Sequence, residues 1–217
     1  MYARPGKRTT LARQDTAIVL EGFLRSGNTF SVAAFGVANG RGLHVARHLH
    51  GGPHILRAVR LGLPTVVLIR QPRDAVLSYL IRRDTLTPHD AVVEYLDFYQ
   101  TAWPARHGFV VGLFEWVVSD FGAVLDAVNA RFGTSFVRYE PTPENEAAAF
   151  REIEEMNRRE CRGEVVETHV GRPSVERSVR KEELRSLLDV PRTAARLREA
   201  EDLYSRYTHI AAPPSIA

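Results

Sequence analysis

The chain of 217 residues has a single cysteine, Cys161, and only two lysines, Lys7 and Lys181. One thiol excludes an intramolecular disulfide and any zinc site built on cysteines. The scarcity of lysine leaves arginine to carry nearly all the positive charge, and arginine suits bidentate contact with phosphate or sulfate. No apolar run reaches the length of a membrane span, and residues 1–13 hold no apolar signal core. These absences point to a soluble, cytoplasmic protein. The net charge is only +3, and no basic run interleaved with aromatics suggests a nucleic-acid partner. A hydrophobic share of 44% over this length fits one compact domain. Residues 1–15, polar and basic, read as a flexible arm, and 16–217 as a single domain.

What is present is an alternation of strand and helix patterns. Ala17-Ile18-Val19-Leu20 reads as a short strand, and Thr29 to Asn39 as a helix stopped by Asn39-Gly40. His44 to Leu49 suggests a second strand and Ile55 to Leu61 a short helix. Thr65-Val66-Val67-Leu68-Ile69, apolar at every position, has the pattern of a strand buried on both faces. A helix starting at Asp74 carries Val76, Leu77, Leu80 and Ile81. Thr87-Pro88-His89-Asp90 has the layout of a helix start, with Thr87 as cap and Pro88 in the first turn. Phe109 to Phe114 is a further strand, followed by a helix capped by Ser119 and ended by Gly133. The last third is helical, near 143–160, 180–188 and 192–207, with a polar stretch from Gly163 to Ser178. The order implies right-handed βαβ crossovers. The expected fold class is α/β: a three-layer α/β/α domain with a mostly parallel central sheet, a phosphate-binding loop and a helical C-terminal third. Ligands of such sheets bind at the carboxyl ends of the strands.

Two motifs lie at such ends. Residues 22–30 read Gly22-Phe23-Leu24-Arg25-Ser26-Gly27-Asn28-Thr29-Phe30. Strand, glycine-bounded loop and helix start together make an anion site of converging N–H groups and a positive helix terminus. The triphosphate-binding form is G-x-x-x-x-G-K-[ST]. Here Gly22, Gly27 and Thr29 keep the register, but Asn28 stands in the lysine position and the cation is Arg25. The second motif is Arg70-Gln71-Pro72-Arg73-Asp74-Ala75-Val76-Leu77-Ser78-Tyr79. Arg70 at a strand end and the Ser78 hydroxyl on the next helix form a second anion site. Two neighbouring anion sites suggest a ligand with two phosphate-type groups.

The first segment resembles the 5′-phosphosulfate loop of the sulfotransferases, P-[KR]-S-G-T-T-W. The second resembles their 3′-phosphate motif, R-[DN]-P-[RK]-D-x-x-x-S. The resemblance is sharp over residues 18–80. It implies that the donor is 3′-phosphoadenosine 5′-phosphosulfate (PAPS), bound by Arg25, Ser26, Gly27, Asn28, Thr29 and Phe30 at its 5′ end and by Arg70 and Ser78 at its 3′-phosphate. Phe114, in Leu113-Phe114-Glu115, lies where the family has an aromatic near adenine. Arg172, in Gly171-Arg172-Pro173, lies where it has a late basic loop. Leu24, Asn28 and Phe30 replace the family's proline, threonine and tryptophan.

Transfer to a hydroxyl needs a base, and histidine titrates near neutrality. His48-Leu49 matches part of the family's T-H-L-P, which makes His48 the expected base and Arg25 the group that neutralises the leaving phosphate. His50 remains the alternative, expected to share a strand face with His48. The cluster His44, His48, His50 and His54 also permits a metal reading, but no cysteine or nearby carboxylate completes a shell, and sulfuryl transfer from PAPS requires no metal. The expected acceptor is a small molecule or carbohydrate bearing a hydroxyl. Two other readings stand beside this one: a P-loop kinase of small molecules, and a non-catalytic nucleotide-binding protein of sulfotransferase fold.

Overall fold

The structure is a computed structural model, and it describes residues 10–171 and 175–211. Four strands form one sheet: β1 (Ile18–Gly22), β2 (Val45–Arg47), β3 (Thr65–Ile69) and β4 (Val110–Leu113), in the order β2-β1-β3-β4 and parallel throughout. Gly22 lies opposite Leu68, and Ile69 opposite Leu113, so three strands end at one level. The sheet is covered on both faces, as the absence of an alternating polar face in these strands requires.

Alternation along β3 sorts the two layers. Val67 and Ile69 pack with α3 (Pro72–Arg82), α4 (Pro88–Ala102) and α9 (Pro191–Ile210). Val66 and Leu68 pack with α1 (Asn28–Asn39), α6 (Phe121–Phe132) and α7 (Pro143–Glu160). The short helices α2 (Gly52–Arg60), α5 (Phe114–Ser119) and α8 (Val175–Leu184) complete the order. The architecture is the α/β/α sandwich expected from the sequence, and no helix among the described residues is long and apolar enough to cross a membrane.

Several boundaries differ from the sequence reading for local reasons. The second strand stops at Arg47 because His48 and His50 take left-handed backbone conformations, φ 61° and 50°. Phe114 begins a helix rather than ending a strand. Asp120, not Ser119, caps α6, its carboxylate accepting from the Ala123 N–H at 3.1 Å. The α3 helix starts two residues early because Gln71 caps it through the Asp74 N–H, at 3.0 Å. The last part of the expected arm is anchored: Thr10 pairs with Arg47 in both directions at 3.0 Å, and Ala12 is fully buried.

Candidate functional site

The loop between β1 and α1 is shaped by its backbone. Gly27 has φ 90°, a conformation that side chains disfavour. Added bulk would also meet Val117 at 3.2 Å, so Gly27 is needed for its conformation and for its packing. The first helical bond runs from the Ser31 N–H to Gly27 O. The N–H groups of Gly27, Asn28, Thr29 and Phe30 precede it, and no side chain caps them. Asn28 turns away from the loop's mouth: its amide donates to Phe23 O at 2.9 Å, tying the loop to itself where a lysine would carry charge.

Ser26 departs from expectation. It is fully buried, its N–H donates to Phe23 O at 3.3 Å, and its hydroxyl meets Tyr99 at 3.3 Å. It supports the loop from below and does not line the cavity beside the loop. Tyr99, from α4, donates to Leu68 O at 2.7 Å and accepts from the Phe23 N–H at 3.3 Å. One hydroxyl thus joins β3 to the loop.

Beside the loop is a cavity of about 590 Å³, a size suited to a nucleotide-scale ligand. Arg25, Gly27, Asn28, Thr29, Phe30, His48, His50, Arg70, Ser78 and Phe114 all line it. Phe30 is largely a core residue, packed edge-on against Tyr139. Arg172 lies outside the described residues. Its neighbour Gly171 lines the cavity and sits over Thr29, where a Cβ would come within 3.3 Å of the threonine Cβ.

The two motifs meet through Arg25. Its Nε donates to Ser78 Oγ at 2.9 Å, so the two expected anion sites are contiguous. Arg70 stacks over Phe114, its guanidinium carbon 3.9 Å from the ring centroid, and that face of the ring is thereby covered. Its bond to Asp74 is long, 3.4 Å, and its buried Nε has no hydrogen-bond partner among the described residues. A buried guanidinium nitrogen without an acceptor is costly unless a ligand supplies one.

Three cations that the sequence did not single out join them. Arg82 from α3 and Arg177 and Lys181 from α8 line the same cavity. Burial, with Arg82, Arg177 and Arg70 as like-charged neighbours, lowers the Arg25 guanidinium to about 9, against a smaller opposing pull from Glu160. Burial also lowers Arg70, partly offset by Asp74. Lys181 is lowered to about 8 by burial and then by Arg70, with Asp74 opposing and Arg25 and Arg177 adding. Five cations in one cavity, with Arg25 and Lys181 each disfavoured by like-charged neighbours, form a site that a multivalent anion relieves.

The polar stretch after α7 is held by these arginines. Arg25 and Arg82 donate to His169 O at 3.3 and 2.9 Å, and Arg177 donates to Glu167 O and Val170 O, both at 2.6 Å. The segment is thereby drawn over the loop. From α7, Glu146, Phe150 and Met156 form another wall of the cavity. Across it, the rings of His48 and His50 lie with centroids 5.7 Å apart, on a turn rather than on a strand face. No three potential metal ligands converge among the described residues.

No family model matches the chain, and no curated protein is similar to it. Among solved structures, the mouse sulfotransferase SULT7A1 complexed with PAP is similar, with a TM-score of 0.48 and 13% identity, over 92% of this chain and 85% of that one.

Proposed function

We propose that this protein transfers the sulfuryl group of PAPS to a hydroxyl of a small-molecule or carbohydrate acceptor. The observation that carries the reading is the pair of anion sites joined by Arg25 and surrounded by Arg70, Arg82, Arg177 and Lys181 in one cavity. PAPS offers two anionic ends of matching chemistry. The open N–H groups of residues 27–30 receive the 5′ end, and Arg70, with its unmatched Nε, and Ser78 receive the 3′-phosphate. Arg172, outside the described residues, is assigned to the latter by the motif resemblance of Gly171-Arg172-Pro173 alone.

The reaction is an in-line displacement. An imidazole of the 48–50 turn accepts the acceptor's hydroxyl proton, the oxygen bonds to sulfur, and the bond from sulfur to the 5′-phosphate oxygen breaks; the motif match points to His48. Charge develops on that oxygen and is met by Arg25 and the loop amides. The decisive experiment is calorimetric titration of 3′-phosphoadenosine 5′-phosphate against ATP, both in EDTA. Tight binding of the former with weak binding of ATP supports the reading. The reverse preference overturns it in favour of a kinase, and binding of neither overturns it as well.

The Lys181 ammonium gives a pH signature. The free protein loses this charge as pH rises through about 8, and an anion binds the charged form better. Affinity for 3′-phosphoadenosine 5′-phosphate should therefore fall between pH 7 and pH 9, by up to about tenfold for one proton. Calorimetry at the two pH values measures this, and Lys181→Arg should make the dependence shallower, leaving the part that Arg25 contributes near pH 9.

A further inference from the structure

Next to the loop lies a buried carboxylate that the reading above leaves without a role. Glu21 occupies β1 one residue before Gly22 and is fully buried. Its Oε1 accepts from the Leu49 N–H at 2.7 Å and its Oε2 from the His50 N–H at 3.1 Å. His54 Nδ1 lies 3.3 Å from Oε1, and His50 Nδ1 3.8 Å from Oε2. The Ala12 N–H donates to His54 Nε2 at 2.9 Å, which leaves that ring's proton on Nδ1, facing Glu21. Burial alone would push the Glu21 carboxyl up. His54, His50 and the Leu49 amide outweigh it and hold the carboxyl below its ordinary value. Glu21 is an anion surrounded by donors.

What these donors belong to is the turn bearing the two cavity histidines. Left-handed backbone at a residue other than glycine costs about 1–2 kcal/mol, and such conformations persist where their surroundings over-determine them. His48 and His50 both adopt it. The bonds from the Leu49 and His50 N–H groups to Glu21 fix the turn between and after them. The His50 ring is further constrained: its Nδ1 lies 2.9 Å from Gly22 O, and a carbonyl only accepts, so Nδ1 carries the proton and Nε2 is the ring's accepting nitrogen.

We propose that His50, rather than His48, is the catalytic base, and that Glu21 is the positioning residue that sets its orientation and, with Gly22 O, its tautomer. The role of base rests on the sulfuryl-transfer reading, whereas the orientation and tautomer do not. In the step, the acceptor's proton passes to His50 Nε2 as the new O–S bond forms and 3′-phosphoadenosine 5′-phosphate departs with the electron pair of the broken S–O bond. The imidazolium so formed directs its Nδ1–H toward Gly22 O with the Glu21 carboxylate close behind, and His54 lies on the far side of that carboxylate. Glutamate at position 21 therefore stabilises the charged product of proton transfer as well as the turn.

Two measurements on the full chain test this. The first is long-range ¹H–¹⁵N imidazole spectroscopy on the ligand-free protein above neutral pH. His50 should be the Nδ1–H tautomer, with the share of Nε2–H rising in Glu21→Gln as the turn and the nearby carboxylate charge are lost. A wild-type His50 protonated on Nε2 overturns the proposal whether or not any variant folds. The second follows release of 3′-phosphoadenosine 5′-phosphate from PAPS, with phenols of graded acidity as acceptors. His50→Gln should lower kcat by about 10²–10⁴-fold with product affinity kept. Glu21→Gln should lower it less, by about tenfold, the loss shrinking as the phenol becomes more acidic. A larger loss from His48→Gln than from His50→Gln overturns the assignment. Failure of the wild type to bind 3′-phosphoadenosine 5′-phosphate sinks the sulfuryl-transfer reading, and with it the role of base, while the tautomer result still decides the positioning claim.

Discussion

Replacing Arg25 with methionine should weaken binding of 3′-phosphoadenosine 5′-phosphate by about 10²-fold, from the loss of about 3 kcal/mol of charge-assisted contact. Turnover should fall further, by about 10³-fold or more, the scale on which a guanidinium facing the transferred group acts in phosphoryl transfer. On the proposed reading, charge grows on the departing oxygen during transfer, so Arg25 would do more in the transition state than in the bound state. Stability should move the other way or not at all. Arg25 is desolvated beside Arg82, Arg177 and Arg70, and methionine keeps the aliphatic stem while removing one of the mutually repelling charges. The bonds lost to Ser78, His169 O and Val170 O oppose that gain. Calorimetry and thermal melting of the ligand-free protein together check the claim. Wild-type affinity in the variant would remove Arg25 from the donor site, and a large fall in Tm would make its role structural.

The second large effect is on the fold. Gly22→Ala places a Cβ well inside contact distance of the Leu68 carbonyl oxygen and 2.8 Å from the Leu68 Cβ. The obstacle is the neighbouring strand's backbone, at the point where Gly22 and Leu68 are in register, so no side-chain rotation relieves it. Overpacking of this kind costs about 3 kcal/mol or more, which in a chain of this size lowers Tm by about 6–12 °C. Differential scanning calorimetry measures it, and a Tm within two or three degrees of wild type, roughly the effect of 1 kcal/mol, would show that β1 and β3 can separate locally. The glycine that looks most like a phosphate-binding residue is thus required first for pairing two strands.

The contrast between these residues explains what the sequence made legible. The β3 strand and the Arg70–Ser78 segment announced themselves because local rules agree there: an apolar run, a proline in the first turn, and a helix face in step. Asn28 and Gly27 were readable for the same reason. Glu21 was not, since a single acid in the run Ile18–Gly22 has no local partner, and its donors come from residues 49, 50 and 54. Arg82, Arg177 and Lys181 were hidden among many arginines on polar helices. Their convergence on the cavity depends on the packing of α8 against α3, which no periodicity encodes. The strand 44–49 was overextended because alternation of apolar residues does not report a left-handed backbone at a histidine.

The strand order has a consequence for how the site comes into being. β1 carries the loop, yet both of its neighbours, β2 and β3, lie later in the chain, and every pairing in the sheet is parallel. No hairpin closes early, so each contact waits on a long crossover, which makes such topologies slow to fold. On a translating ribosome, residues 22–29 leave the tunnel well before Leu68 and Arg70. A nascent chain stopped short of β3 therefore carries the entire loop motif but none of the cations that Arg70, Arg82, Arg177 and Lys181 bring to the cavity.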